Sequence, residues 1–291
     1  MGVPIAERVL AAGHALTVYN RSPAKAASLV EKGATAAAAP RDLFAANDVC
    51  ITVLADDRAL EAVTLTPDGI LAAARPGTVL VDMSTVSVAA SSRVAAAAAA
   101  AGVHYVRAAV SGNPTVVRAG NLTIIVSGAP ESFERVEPLL RAIGPNVYYV
   151  GEAEQARVVK LALQVMIGGT AELLSEALVL GEAGGVSRQT LLEVIAGSAA
   201  GSPFVKYKSG PLLEDDYSAT FTTAMMKKDL ELVLGFARET EVRLPMTSEL
   251  EDLLDDAIEA GYADLDFMAL FLSLQAHAGG RAASQLTRPK A

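Results

Sequence analysis

Lys160 and Gln164 stand four residues apart in an otherwise apolar stretch, and they are the first residues in the chain that could do chemistry. From Ala153 to Gly185, residues such as Val158, Leu161, Val165, Leu173 and Leu178 leave almost no polar side if the segment is helical. A helix that is apolar nearly all round is a buried one. Residues four apart share a face, so an ammonium and a carboxamide stack there. An unpaired ammonium is costly to bury, so Lys160 must be paired, snorkelling or chemically used. The plain alternative is a helix lysine that reaches solvent, as most do. If it is used, apolar surroundings draw its pKa toward neutrality, which suits a general base or acid.

The elements that hold such a pair come next. With 291 residues, 52% of them hydrophobic, the chain can fill one large core or two ordinary ones. A net charge of −9 disfavours nucleic acid and anionic membrane surfaces as partners. The single cysteine, Cys50, lies in an apolar run and reads as a core residue; alone it makes no disulfide or cysteine-based metal site. His14, His104 and His277 lack ligand spacing, so no metal is expected. No signal segment is legible and no apolar run reaches the length of a membrane span, so a cytoplasmic protein is expected.

Residues 3–12 read as a helix closed by Gly13, and Ala15 to Tyr19 as a short strand. Asp48–Leu54, Thr78–Val81, Val103–Val106, Leu122–Val126 and Val147–Val150 are further strands, with helices near 24–32, 57–65, 87–101 and 130–142. This alternation predicts a doubly wound α/β domain over residues 1–150. Beyond Gly151 the strand signals stop. Helices near 153–183, 187–198, 222–238, 245–260 and 266–276 predict an all-α domain over residues 151–291, and the long helix at the join sets Lys160 near the domain boundary. A doubly wound domain opens with a buried strand feeding a glycine-rich turn, and no strand precedes Gly2, so the chain reads as starting in mid-motif.

In order along the chain, these residues resemble the beta-hydroxyacid dehydrogenases, which include 3-hydroxyisobutyrate dehydrogenase and tartronate semialdehyde reductase. Met1-Gly2-Val3-Pro4 looks like the second half of the family's GLGxMGxPMA loop, lacking its first strand. The resemblance makes Gly2 and Val3 cofactor-binding, with Gly2 permitting close helix–strand packing. Asn20-Arg21-Ser22 falls where an acidic residue would select NAD; a guanidinium there suits the 2′-phosphate of NADP, the preferred cofactor, with NAD as the alternative. Leu54-Ala55 and Asp82-Met83-Ser84-Thr85 resemble the cofactor-lining loops, although Ser84 and Thr85 could equally cap the helix starting near Ser87.

Ser111-Gly112-Asn113-Pro114 resembles the substrate signature APVSGG, whose serine and glycine amide hold a carboxylate. Here Asn113 replaces a glycine and Arg107 stands where an acid is usual. Lys160 to Gln164 resembles the KxxN[NQ] motif, with Leu163 departing from it, and Lys228-Asp229-Leu230 resembles KDL, which would set Lys228 at the cofactor or substrate cleft.

The resemblance implies an NADP(H)-dependent oxidoreductase that interconverts a small beta-hydroxy acid and its semialdehyde. Lys160 would be the acid–base group, Gln164 would orient the substrate, and Ser111, Gly112 and Asn113 would bind its carboxylate. An imine reductase of the same architecture is one alternative, though such enzymes generally lack the SG signature and the lysine. A catalytically silent oligomeric scaffold is another. A homodimer or homotetramer built on the 153–183 helix is expected.

Overall fold

The computed structural model describes residues 1–278. The chain divides into two compact units, the first Met1–Lys160 and the second beginning at Leu161.

In the first unit, α1 (Gly2–Ala11), β1 (Thr17–Val18), α2 (Ala27–Glu31) and β2 (Thr35–Ala36) come first. They are followed by α3 (Leu43–Ala46), β3 (Val49–Thr52), α4 (Asp57–Thr64), β4 (Val79–Asp82) and α5 (Val88–Ala100). The unit continues with β5 (His104–Ser111), α6 (Pro114–Arg118), β6 (Thr123–Ser127), α7 (Pro130–Ile143), β7 (Asn146–Gly151) and the start of α8 (Gln155–Ala183). Strands β3 to β7 form one five-stranded sheet in sequence order, while β1 and β2 pair separately. Every residue of β4 is buried, as expected for a strand covered on both faces.

The sheet is mixed. β3, β4 and β5 are parallel, β5 and β6 antiparallel, and β6 and β7 parallel again. Connection length decides this: a parallel crossover needs about a dozen residues or more. Residues 112–122 between β5 and β6 hold only the short helix α6. Residues 128–145, by contrast, carry α7 and return the chain parallel.

The second unit is helical: the rest of α8, then α9 (Arg188–Gly197), α10 (Pro203–Leu213), α11 (Thr223–Glu239), α12 (Pro245–Ala257) and α13 (Leu270–His277). Its core gathers Leu174, Leu178, Leu230, Leu254, Phe267 and Phe271. Helix α10 escapes the sequence reading because Gly210 and Pro211 lie within it. Ser202 caps it, accepting the Val205 N–H at 3.2 Å.

Helix α8 departs from the sequence expectation in two respects. By length and composition it is the one helix among the described residues that could cross a membrane, and 44% of its most apolar stretch is buried inside the protein. It is also not buried all round: Met166, Leu173 and Leu180 are 66%, 54% and 76% exposed. Its two mid-helix glycines differ as well. A Cβ on Gly168 would meet Leu250 Cδ2 at 3.0 Å, whereas one on Gly169 would meet nothing within 4 Å.

On the inner side of α8, Glu172 is only 8% exposed, and neither carboxylate oxygen has a hydrogen-bond partner among the described residues. Burial first, and the neighbouring Glu176 second, push its pKa from 4.5 up to about 7. The folded state therefore binds a proton more tightly than the unfolded chain, and the stability tied to that proton is lost as pH rises from 4.5 to about 7. Glu172→Gln should raise the melting temperature at pH 8, by about 2–4 °C per kcal/mol recovered, and leave it nearly unchanged at pH 4.5. Equal shifts at both pH values in thermal denaturation would contradict this.

Candidate functional site

In the first unit Gly2 and Val3 open α1 and Lys160 lies in α8, while the other expected site residues lie at the carboxyl ends of strands or in the loops that follow, where open α/β sheets bind ligands. After β1, the Asn20 side chain accepts the Ser22 N–H at 2.9 Å, which closes a small turn with Arg21 exposed at its tip. After β3, Leu54 is half-buried and Ala55 exposed. Asp56 then caps α4 by accepting the Ala59 N–H at 2.7 Å.

After β4, Ser84 is buried and its hydroxyl is committed: it accepts the Leu54 N–H at 2.9 Å and donates to Asp82 Oδ1 at 2.6 Å. Thr85 remains partly exposed. Neither residue caps the next helix, contrary to the alternative drawn from sequence. Ser87 does so, accepting the Ala90 N–H at 3.0 Å.

Asp82 is wholly buried and is the hub of this end of the sheet. Besides Ser84, it accepts from Thr52 Oγ1 at 2.7 Å and Tyr105 Oη at 3.4 Å, and it pairs with the Arg157 guanidinium from the first turn of α8. Arg157 also donates to the Ser84 carbonyl at 2.7 Å, Ser91 Oγ at 3.2 Å and Tyr105 Oη at 3.1 Å. Lys160, 9% exposed, follows Arg157 at the next turn.

At the end of β5, Ser111 is half-buried and Gly112 has φ +141°, a conformation side chains rarely adopt. A Cβ on Gly112 would meet Val116 Cγ1 at 3.0 Å, so the bend there requires glycine. Asn113 caps α6, its Oδ1 accepting the Val116 N–H at 3.0 Å. Arg107 is buried, pairs with Glu154 just ahead of α8, and lies 4.7 Å from the Tyr105 ring centroid. Its guanidinium therefore serves the protein interior, and Glu154 explains why a cation replaces the usual acid. At Gly2 the structure corrects the packing argument: a Cβ there would meet Val53 Cβ at 3.9 Å, an ordinary contact.

In the second unit, Gln164 and Lys228 converge on Asp229 of α11. Gln164 Nε2 donates to Asp229 Oδ2 at 2.5 Å, and Lys228 Nζ lies 2.6 Å from Oδ1. Lys227 belongs elsewhere, against Glu231, Glu251 and Asp255, whose hydrogen bonds hold its ammonium well above the usual lysine range. Sequence reasoning named neither Asp229 nor Arg157 as a site residue. Asp229 had a signal, as the acid inside the KDL motif. Arg157 had none beyond its place one turn before Lys160.

Comparisons with known proteins identify the family. Residues 1–151 match the NAD-binding domain of 6-phosphogluconate dehydrogenase, and residues 155–274 match the NAD-binding domain of NADP-dependent 3-hydroxyisobutyrate dehydrogenase. The 2-(hydroxymethyl)glutarate dehydrogenase of Eubacterium barkeri is 33% identical over 93% of this chain and 90% of its own length. The crystal structure of 3-hydroxyisobutyrate dehydrogenase from Salmonella typhimurium superposes with TM-score 0.85 at 26% identity, over 93% of this chain and 95% of that one. An imine reductase from Pseudomonas sp. gives TM-score 0.62 at 25% identity, over 94% and 96%. These matches define an NAD(P)-dependent oxidoreductase acting on CH–OH groups; the chain belongs to the beta-hydroxyacid dehydrogenase family.

Proposed function

We propose that the protein interconverts a small beta-hydroxy acid and its semialdehyde with NADP(H), using Lys160 as the acid–base group. The observation that carries this reading is Lys160 itself: an ammonium-bearing side chain buried in α8, one turn beyond a fixed arginine. The exposed Arg21 on its braced turn and the accessible Ala55 and Thr85 fit a dinucleotide whose adenosine end carries a phosphate. The bound nicotinamide supplies or accepts the hydride. Neutral Lys160 Nζ takes the substrate hydroxyl proton as the carbinol is oxidised, and its ammonium returns it in reduction. The Ser111 hydroxyl and the Gly112 N–H bind the carboxylate. Asn113 Oδ1 accepts the Val116 N–H, which turns that oxygen inward, and the Asn113 amide NH2 is the side-chain group that can donate to the carboxylate. Gln164, braced by Asp229, orients the substrate. The likeness to an imine reductase keeps that activity as the second reading. The hydroxy-acid relatives, together with Ser111, Gly112 and Lys160, favour the first.

For assembly we infer a homodimer through α8. Met166, Leu173 and Leu180 repeat at intervals of seven, with Gly169 and Glu176 between them, which is the spacing of a helix–helix seam. Exposed apolar stripes of this kind mark interaction surfaces.

Three measurements test these readings. Lys160→Ala should cut turnover of semialdehyde acids by about a hundredfold or more while NADPH binding survives; unchanged turnover sinks the assignment. Arg21→Ala should weaken NADPH binding by about 1.5–3 kcal/mol in fluorescence titration and spare NADH, whereas equal losses for both refute a phosphate contact. Light scattering should give about twice the 30.0 kDa chain mass, and the single-chain mass for Leu173→Glu. An unaltered dimer in that variant defeats the α8 interface.

A further inference from the structure

We infer that Arg157 is a positioning residue: its buried guanidinium locks the loops after β3 and β4 to the first turns of α8, and so sets where Lys160 stands relative to Ser84 and Thr85. The inference rests on the reading of Lys160 as the acid–base group.

The argument begins from cost. A buried Arg–carboxylate pair is weak evidence for stability, because desolvating two charges offsets most of their attraction and well-packed apolar residues often do as well. Arg157 and Asp82 are nevertheless both almost completely buried. What the pair supplies and an apolar substitute cannot is direction. The planar fork donates at fixed angles to the Asp82 carboxylate, the Ser84 carbonyl and Ser91 Oγ.

Asp82 passes that direction on. Its Oδ1 holds both the Ser84 N–H, at 3.1 Å, and the Ser84 hydroxyl, at 2.6 Å. The same hydroxyl accepts the Leu54 N–H at 2.9 Å, so the loop after β3 hangs on the loop after β4. On the other side, Arg157 and Lys160 are three residues apart on α8, about 4.5 Å along the axis and on neighbouring rows of one face. One guanidinium therefore links three segments that the proposed mechanism needs in register: residues 54–55, residues 84–85 and Lys160.

Three further contacts seat the start of α8, since Ser127 Oγ donates to the Ala153 carbonyl at 2.6 Å and accepts the Ala156 N–H at 3.2 Å, and Arg107 pairs with Glu154. These fix the segment before the helix and its first residues. Arg157 carries the tie onward to the loop after β4 through the Ser84 carbonyl.

The test compares Arg157→Met, which keeps bulk and removes the fork, with Arg157→Lys, which keeps the charge, and with Lys160→Ala. Hydrogen exchange is followed at the amides of residues 83–86, NADPH affinity by fluorescence titration, and kcat and KM on semialdehyde acids. In folded Arg157→Met, exchange at residues 83–86 should rise about tenfold or more while the β4 and β5 amides stay protected. NADPH binding should weaken, and kcat should fall about tenfold to a hundredfold. Arg157→Lys should recover part of each.

A folded Arg157→Met with unchanged exchange at residues 83–86 overturns the inference. So does a uniform rise in exchange across the first unit, with activity lost only in proportion to the folded fraction. Should Arg157→Met fail to fold, the same loop exchange and NADPH titration in Arg157→Lys decide the question, native values overturning it. If Lys160→Ala matches the parent in turnover, the functional reading fails, but exchange and NADPH affinity still judge Arg157 independently.

Discussion

A fully buried carboxylate at the carboxyl end of an inner strand is the constraint on which the first unit turns. Asp82 closes β4, every residue of which is shielded from water. An ionised group there persists only if its lone pairs are met in good geometry. The donors come from separate elements: Thr52 from β3, Ser84 from the following loop, Tyr105 from β5 and Arg157 from α8. Burial pushes the Tyr105 phenol up to about 12, so it keeps its proton and remains a donor. Satisfying one acid thus fixes how four elements meet, and the strand-end loops inherit their shape from that meeting.

What could be read from sequence follows from how local each signal is. Strands β3 and β4 were legible because strands buried on both faces are nearly continuous runs of apolar residues. The long helix α8 was legible as an apolar stretch too long for a strand. By contrast, β2 is two exposed residues that no pattern could mark, and α10 carries a glycine and a proline that argue against a helix. The antiparallel turn of β6 depended on the length of a connection, a property of no single residue. In the site, the strand-end loops and Lys160 were found through motifs. The partner of Asp82 is separated from it by 75 positions, and long-range pairs leave no trace in local spacing.

The two arginines in unusual surroundings also become intelligible together. Arg107 would be an anomaly in a buried strand until Glu154 is seen beside it. Arg157 would be an uncompensated charge in an apolar helix until Asp82 is seen. Each is half of a pair whose other half lies on a different element, so a change at one member alone would strand the other charge in the interior. That interdependence ties the beginning of α8 to the sheet more firmly than apolar packing could specify, because a hydrogen-bonded fork has one orientation and a methyl cluster has several.

Burial alone does not identify a catalytic lysine, and the second unit shows why. Lys208 on α10 is more deeply buried than Lys160. Burial lowers its pKa, while the ion pair with Asp266 pulls the other way. Its ammonium donates to Asp266 at 2.6 Å and to Thr220 at 3.2 Å, and lies 4.9 Å from the ring centroid of Phe267. Asp266 in turn accepts the Thr220 and Met268 N–H groups and caps the short helical turn leading into α13. Lys208 is therefore a staple between α10 and the segment before α13, with its bonding directed inward to structural partners. Composition and burial would rank Lys208 above Lys160 as a reactive residue. What separates them is position: Lys160 lies one turn beyond the guanidinium that organises the strand-end loops, whereas Lys208 is wrapped by the residues it holds together. The chemical assignment of a buried ammonium thus depends on what its neighbours are arranged to serve, and that criterion supports the proposal for Lys160 over one for Lys208.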